Sequence, residues 1–190
     1  MNLLIDTHLN DIVIVLSKNK KIIKMEKVLG ERQNSKFIMP LIKKVLSGQT
    51  PHSIAVVNGP GSFTGVRLGV TIAKSLAYIM DIPIKTISTL ECLAVSVTKE
   101  EKIVGFSDKN GYYIGVFNNN DLIGRYEYIS NFEMENYSKT HNIITDIEIN
   151  YEKVLEFLDL KNNINPHEVN PFYIKKIDVE KWLELQKKKI

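Results

Sequence analysis

Asn58-Gly-Pro-Gly-Ser-Phe-Thr-Gly-Val-Arg-Leu-Gly69 is the stretch that decides the fold. It follows an apolar run at residues 54–57 and opens a helical pattern that continues to about Met80, so it predicts a strand, a glycine turn and a helix. Its first two glycines permit backbone angles that a β-carbon forbids, and Ser62 or Thr64 can cap the helix. Free N–H groups at such a helix start favour an anion, whereas a plain turn between strand and helix is the alternative.

The helix that follows carries two different apolar sides. Small residues recur at every fourth position, which allows another element to approach closely. They are Gly65, Gly69, Ala73 and Ala77. A second row, on another side, consists of Leu68, Ile72 and Ile79 with Ser75 among them. Because a helix that is apolar nearly all round is buried, either the domain covers both sides or a partner covers one.

An earlier segment predicts a second helix of this kind. It begins at Asn34 or Ser35, contains Pro40 near its start and runs to about Leu46. Its apolar side chains form two rows, with Phe37, Leu41 and Val45 in one and Ile38, Ile42 and Leu46 in the other. The apolar arc is again wide.

Bulk properties are those of an ordinary globular protein. The 190 residues carry a net charge of +3, a mild basic excess that does not by itself indicate nucleic acid binding. The single cysteine, Cys92, excludes an internal disulfide framework and is expected to be a small buried hydrophobe in a reducing compartment. We see neither a signal peptide nor a membrane span, so the expected location is the cytoplasm.

The two halves of the chain open in a similar way. Each begins with a strand, a short acidic turn and a hairpin, with Asp6 in the first turn and Asp108 in the second. Asp6 could position a metal-bound water or a phosphate, or it could simply cap its own turn. The pattern predicts an α/β fold with an N-terminal lobe at 1–98 and a C-terminal lobe at 99–190. Residues 122–129 are expected to form a single returning strand, and beyond Ser130 the pattern weakens to a short strand at 142–145, a helix at 152–158, a polar loop at 161–169 and a last helix from Asp178.

A search for catalytic groups finds little. Four histidines, His8, His52, His141 and His167, are scattered singly, with no i, i+4 pair that would hold a metal on one helix face. No Ser, Thr or Cys lies in a nucleophile elbow. Asp6 and Asp108 are the only carboxylates at turn positions that could converge on a phosphate.

The glycine-rich stretch resembles the signature of the TsaB (YeaZ) family. Further segments are similar in order and spacing, so the resemblance covers nearly the whole chain. They are Ile5-Asp6-Thr7, the run 32–42 with Pro40 inside, Ser88-Thr89-Leu90, Ser107 to Tyr113, and Pro171-Phe172-Tyr173-Ile174-Lys175.

This resemblance implies an actin-like ATPase (ASKHA, RNase H-like) fold of two related lobes, the second one shortened. It implies a non-catalytic subunit that pairs with TsaD and activates it in transferring a threonylcarbamoyl group from threonylcarbamoyl-AMP to the adenosine beside the tRNA anticodon. TsaE would join that assembly, and a homodimer would form when TsaD is absent. No cofactor is expected for the chain itself, because ATP or ADP and a divalent metal would belong to the assembled complex.

The resemblance also assigns residues to two sites. The partner surface would use Phe37, Ile38, Leu41, Ile42, Val45, Leu68, Ile72, Ser75 and Ile79, and the small-residue stripe would let two helices of each chain form a four-helix contact. A nucleotide or anion would contact Asp6, Gly59, Gly61, Ser62 and Arg67.

Three residues depart from the family pattern, and the short end of the second lobe argues against a complete nucleotide cleft. Asn34 replaces a common His, and Lys109 and Lys175 replace Arg, so bidentate contacts are lost there. The chain is therefore expected to be a poor ATPase. An independent actin-fold kinase or phosphatase is the alternative function, and a peptidase is a remote third.

Overall fold

The first half of the chain forms a mixed five-stranded sheet in the computed structural model, which describes residues 1–30 and 35–175. Its strands are β1 (Asn2–Asp6), β2 (Ile12–Lys18), β3 (Lys21–Val28), β4 (Ser53–Val57) and β5 (Ile84–Ile87). They lie in the order β3-β2-β1-β4-β5. The first three form an antiparallel meander, and β4 runs parallel to both β1 and β5.

The second sheet repeats this plan. Its strands are β6 (Glu101–Ser107), β7 (Gly111–Asn118), β8 (Asp121–Leu122), β9 (Glu127–Ser130) and β10 (Ile143–Ile144). β6 and β7 are antiparallel, and β10 lies parallel beside β6 as β4 does beside β1. Within the described residues this sheet has no counterpart of β5. The prediction of an α/β fold with two related lobes, the second one shortened, is therefore confirmed.

Five α-helices accompany the sheets in the described residues. They are α1 (Ser35–Leu46), α2 (Phe63–Met80), α3 (Thr89–Ser96), α4 (Asn131–Thr140) and α5 (Tyr151–Leu160), and a 3-10 turn follows at Pro166–Glu168. The predicted cap of α2 is confirmed, because the Ser62 hydroxyl accepts a hydrogen bond from the Gly65 N–H. The helix ends at Asp81, which adopts a left-handed conformation.

Alternation along β1 divides the core between the two faces of the first sheet. Leu3 and Ile5 pack on one side with residues of α1 and α2, while Leu4 faces the other side with Cys92 and Val154. The burial expected for Cys92 is confirmed. Helix α5, from the C-terminal half of the chain, packs on the first sheet and so contributes to the core of the N-terminal half. The lobe boundary between residues 98 and 99 stays a prediction.

The structure differs from the predicted elements in two places. The single strand expected at 122–129 is divided into β8 and β9, both of which pair with β7. Helix α4 was not predicted, because none of its residues is buried and its sequence lacks an apolar face. Asn34 and the helix predicted from Asp178 lie outside the described residues.

Candidate functional site

The glycine turn before α2 is held by two other segments of the chain. Gly59 has a φ of +107°, and a β-carbon there would lie 2.7 Å from the carbonyl oxygen of Phe172. The N–H of Thr89 donates to the Gly59 carbonyl at 2.9 Å, and its hydroxyl donates to the Pro60 carbonyl at 2.5 Å. The turn is thereby fixed between the start of α3 and the C-terminal segment.

The small-residue stripe of α2 faces the end of β1. A β-carbon at Gly65 would lie 2.2 Å from the Thr7 carbonyl oxygen, and one at Gly69 would lie 2.3 Å from the Thr7 hydroxyl oxygen. The Thr7 hydroxyl donates to the Gly65 carbonyl at 2.7 Å. The expectation that this stripe forms a four-helix contact between chains is therefore wrong, since Thr7 lies against its two glycines and its two alanines are buried in the chain's own core.

The corner predicted to hold an anion is partly filled by backbone. A β-carbon at Gly61 would lie 2.2 Å from the His8 carbonyl oxygen, which also accepts the Ser62 N–H at 2.7 Å. The Gly65 N–H is also occupied, because it donates to the Ser62 hydroxyl within the first turn of α2. Position 61 needs a glycine because a main-chain carbonyl lies against it. This close contact explains the glycine, and no bound ligand is needed to explain it.

Arg67, the cationic residue assigned to that corner, contacts the C-terminal segment instead. Its guanidinium carbon lies 3.7 Å from the centroid of the Phe63 ring and 5.7 Å from that of Tyr173. Its Nε donates to the Tyr173 hydroxyl at 2.7 Å. The Arg67 side chain is therefore held against the rings of Phe63 and Tyr173.

Asp6 lies in a buried cluster with His8 and Tyr151. The carboxyl Oδ1 is hydrogen-bonded to Nδ1 of His8 and accepts the His8 main-chain N–H at 3.1 Å. The Tyr151 hydroxyl donates to Oδ2 at 2.7 Å. Asp6 and His8 are each only 2% exposed. Both carboxyl oxygens are thus engaged by the chain itself.

Burial and charge act in opposite directions on Asp6. Burial raises the pKa of its carboxyl, but the charge of His8 and the hydrogen bonds from His8 and Tyr151 outweigh burial and hold the pKa below its ordinary value. Burial, with the nearby Asp6 charge, raises the pKa of the Tyr151 hydroxyl. At neutral pH the cluster therefore contains a carboxylate and a neutral phenol that donates to it.

Two cavities, of about 230 and 300 Å³, adjoin this cluster. Both are lined by His8, Leu9, Leu93 and Ile147. The His8 Nε2 atom is buried and has no hydrogen-bond partner, and it is the one such side-chain atom among residues 1–30 and 35–175. The sequence pointed to Asp6 but not to its partner Tyr151, which follows it by 145 positions.

Asp108, the second acidic residue predicted at a turn, is bound within its own lobe. Its Oδ1 accepts the N–H groups of Asn110 at 2.7 Å and Gly111 at 2.9 Å, and the Tyr128 hydroxyl at 2.8 Å. Lys175 lies 3.7 Å from Oδ2. Partial burial raises the pKa of this carboxyl, but the hydrogen bonds and the Lys175 charge outweigh it and lower the pKa.

The residues predicted to form the partner surface fall into two groups. Four of those on α1 are buried in the core of their own lobe, so assigning them to a surface was wrong. They are Ile38, Leu41, Ile42 and Val45. Periodicity had marked both rows of α1 as apolar without showing which one faces the sheet.

The remaining members are accessible to different degrees. Phe37, Leu68 and Ile72 are partly buried and pack against the core, Ser75 is exposed, and Ile79 is 76% exposed. We call Leu68, Ile72, Ser75 and Ile79 the outer row of α2. This row is the part of the predicted surface that α2 presents outside the core.

Other kinds of site find no support in the described part of the chain. It contains no group of three or more His, Cys, Asp or Glu side chains that could hold a metal ion. Burial raises the pKa of the Cys92 thiol well above its ordinary value, so little nucleophilic thiolate forms. None of the helices it contains is long and apolar enough to cross a membrane.

Comparisons with known proteins identify the class to which this two-lobed fold belongs. Residues 8–114, more than half of the chain, match the family model described as "TsaD: tRNA N6-adenosine threonylcarbamoyltransferase". The fold is the actin-like ATPase (ASKHA) fold of that class.

Curated relatives specify the family. The chain is 38% identical over 99 residues to a protein of Bacillus subtilis, and 33% identical over 132 residues to one of Buchnera aphidicola; each is named "tRNA threonylcarbamoyladenosine biosynthesis protein TsaB". The alignments cover 50% and 64% of this chain, but only 43% and 62% of the two relatives. The chain thus spans about half the length of the curated relatives it matches.

Solved structures agree on the fold. "YeaZ from Pseudomonas aeruginosa" superposes with a TM-score of 0.75 at 17% identity, covering 90% of this chain and 98% of that one. Another structure, of a Pseudomonas aeruginosa protein described by its similarity to peptidase YeaZ, gives a TM-score of 0.78 at 16% identity, with 92% of this chain and 99% of that one covered. The chain belongs to the TsaB (YeaZ) family.

Proposed function

We propose that this chain is a non-catalytic subunit of the complex that makes threonylcarbamoyladenosine in tRNA. In this role it pairs with TsaD and activates transfer of the threonylcarbamoyl group from threonylcarbamoyl-AMP to the adenosine beside the anticodon. The names of the curated relatives support the pathway, and the match to the TsaD model supports kinship between the two proposed partners.

The observation that carries the non-catalytic role is the state of Asp6. This residue ends the first strand, where an actin-like enzyme would need a carboxylate free to position water or phosphate. Here both of its oxygens are bonded within the chain, and it is 2% exposed. Asp6 lines the cavity of about 230 Å³, but a ligand there would have to compete with His8 and Tyr151 for its oxygens and disturb a buried pair. An independent kinase or phosphatase is therefore the less favoured function.

The outer row of α2 is the surface that we propose for TsaD. Ile79 is 76% exposed, and burying an apolar side chain of this size is worth about 1.5 to 3 kcal/mol. Leu68 and Ile72 join this row to the core, so a partner seated on it would extend the lobe's own packing. Without TsaD, the same surface would close on a second copy.

The rest of the assembly follows from this role. TsaE joins the heterodimer, and tRNA is bound through the complex. ATP or ADP and the divalent metal belong to the assembled complex and not to this chain. The proposed location is the cytoplasm.

The test is an Ile79→Glu variant, assayed for association with TsaD and for modified tRNA in a reconstituted reaction. A charge buried without a partner should weaken association by about a hundredfold or more, and product should fall with it. The matched control is Phe132→Glu on α4, where the native side chain is 74% exposed. Ile72→Glu is a poorer test because Ile72 also packs against the core.

Two results would contradict the proposal. One is equal association of TsaD with the Ile79→Glu and Phe132→Glu variants. The other is rapid ATP turnover by the purified chain that is lost in Asp6→Asn while the fold survives, which would instead establish the kinase or phosphatase.

A further inference from the structure

A cavity of about 400 Å³ lies between the loop from α3 to β6, the turn from β7 to β8 and one side of α5. Its volume is within the range of small-molecule sites in proteins. Three lysines line it, from three different elements: Lys99, Lys102 and Lys153. The other polar groups in its wall are Thr98, Asn119, Asn120 and Glu156.

Lys102 is the fixed member of this set. It is 6% exposed, and its ammonium group donates to the Val97 carbonyl at 3.0 Å and to Oδ1 of Asn120 at 3.3 Å. An ammonium group has three N–H donors, so one remains beyond these two bonds. The two acceptors come from residues that also line the cavity, and they hold the ammonium group at its wall.

Within the part of the chain that the structure describes, no ion pair compensates the lysines of this cavity. Throughout residues 1–30 and 35–175, none of the three lysines lies within ion-pair distance of a carboxylate, Glu156 included. Burial, followed by the like charge of Lys153, lowers the pKa of the Lys102 ammonium. An anion in the cavity would relieve both effects.

We propose that this cavity binds a phosphoryl group. Positive charge predominates in this concave site, with three lysines against one carboxylate, and charge-assisted bonds from ammonium to phosphate oxygens are among the stronger hydrogen bonds in proteins. Lys102 provides a preset donor, Lys99 and Lys153 provide two further cations, and the amide of Asn119 can donate beside them. Phe157 adds an aromatic wall.

The phosphoryl group could belong to a free nucleotide or to an RNA backbone, since the chemistry is the same. The inference does not depend on pairing with TsaD. Asp6 does not line this cavity, which has no lining residue in common with the two cavities around His8.

The experiment is a titration of the isotope-labelled full chain with sodium pyrophosphate, followed by amide NMR shifts of Thr98, Asn119 and Asn120. Saturable shifts are expected there. Lys153→Gln should weaken the apparent affinity roughly 10- to 100-fold, as expected for loss of a hydrogen bond to a charged group. Lys43→Gln, which removes an exposed lysine on α1, is the matched control and should change nothing.

Titrations with ATP and with tRNA distinguish the two sources. If ATP and pyrophosphate saturate the same amides and Lys153→Gln weakens both, a free nucleotide is the ligand. If tRNA binds with the same dependence on Lys153 and is displaced by pyrophosphate, the group belongs to an RNA backbone. The inference is overturned if no titrant shifts these amides, or if Lys43→Gln weakens binding as much as Lys153→Gln.

Discussion

Asp6 and Asp108 occupy corresponding places in the two lobes, yet they are held in different ways. Asp6 is the last residue of β1, and Asp108 directly follows β6. Asp6 is buried, and its partners are a histidine two residues on and a tyrosine from the far end of the chain. Asp108 is only partly buried and is held mainly by N–H groups of its own turn.

This difference shows that the same strand arrangement in the two lobes does not determine how much the acidic residue of each contributes to stability. In the second lobe the carboxylate closes a local turn, and its contacts with the more distant Tyr128 and Lys175 lie at a partly exposed site where they are worth less. In the first lobe the Asp6 carboxylate joins segments that are remote in sequence. Because this cluster is buried, removing one of its groups leaves another polar group without a partner. The first acidic turn should therefore be far more sensitive to substitution than the second.

The largest expected effect is that of Asp6→Asn. It leaves His8 and Tyr151 facing a neutral amide in the core, so we expect the free energy of unfolding to fall by about 3 to 5 kcal/mol. Urea denaturation at neutral pH measures it. Asp121→Asn, at an exposed position of β8, serves as the control and should stay within about 0.5 kcal/mol of the parent. A loss below about 1 kcal/mol for Asp6→Asn would remove the contrast between the lobes.

Gly65→Ala probes the packing beneath the same corner and should have an intermediate effect. The new methyl group would lie 2.2 Å from the Thr7 carbonyl, so β1 and α2 must separate, at a cost of about 1 to 3 kcal/mol. Thermal and urea unfolding provide the measurement. Ser75→Ala on the exposed side of the same helix is the reference and should be nearly neutral. If Gly65→Ala were equally neutral, close contact with β1 would not be the reason for this glycine.

The smallest effect is expected for Asp108→Asn, about 1 kcal/mol at neutral pH, because an amide oxygen can still accept one turn N–H. Its pKa is lowered by folding, so the stabilisation is present above the ordinary value of 3.8 and is lost as the pH falls through the folded-state pKa. Urea denaturation of parent and variant between pH 7 and pH 2 should therefore give curves that converge in acid. Curves that stay parallel throughout would show that the charge of Asp108 contributes nothing.

Much of the fold could be predicted because its signals are local. The glycine turn with its cap at Ser62 and the acidic turn that opens each half depend on residues close in sequence. Helix α4 was missed although Ser130 and Glu133 form a capping box, a local signal that could have revealed its start. The two apolar rows of α1 did not show which residues face the core, so four core residues were wrongly assigned to the partner surface: Ile38, Leu41, Ile42 and Val45.

The candidate site was less predictable because its contacts span the chain. Nothing near Asp6 indicates that Tyr151 will donate to it, and nothing near Arg67 indicates Tyr173. Lys102 was missed for the same reason, since its acceptors lie in a loop and a turn that meet only after the second sheet forms. Such pairings follow from topology, which composition and periodicity do not contain.

The Tyr151 hydroxyl bond also bears on how the protein is made. A ribosome delivers Asp6 early, but the tyrosine that completes its hydrogen bonding emerges 145 residues later. Until then the growing chain carries a first sheet whose inner carboxylate lacks one of its bonds. Nascent chains that end before α5 should consequently be cut readily by added protease, and resistance should appear once that helix has left the exit tunnel.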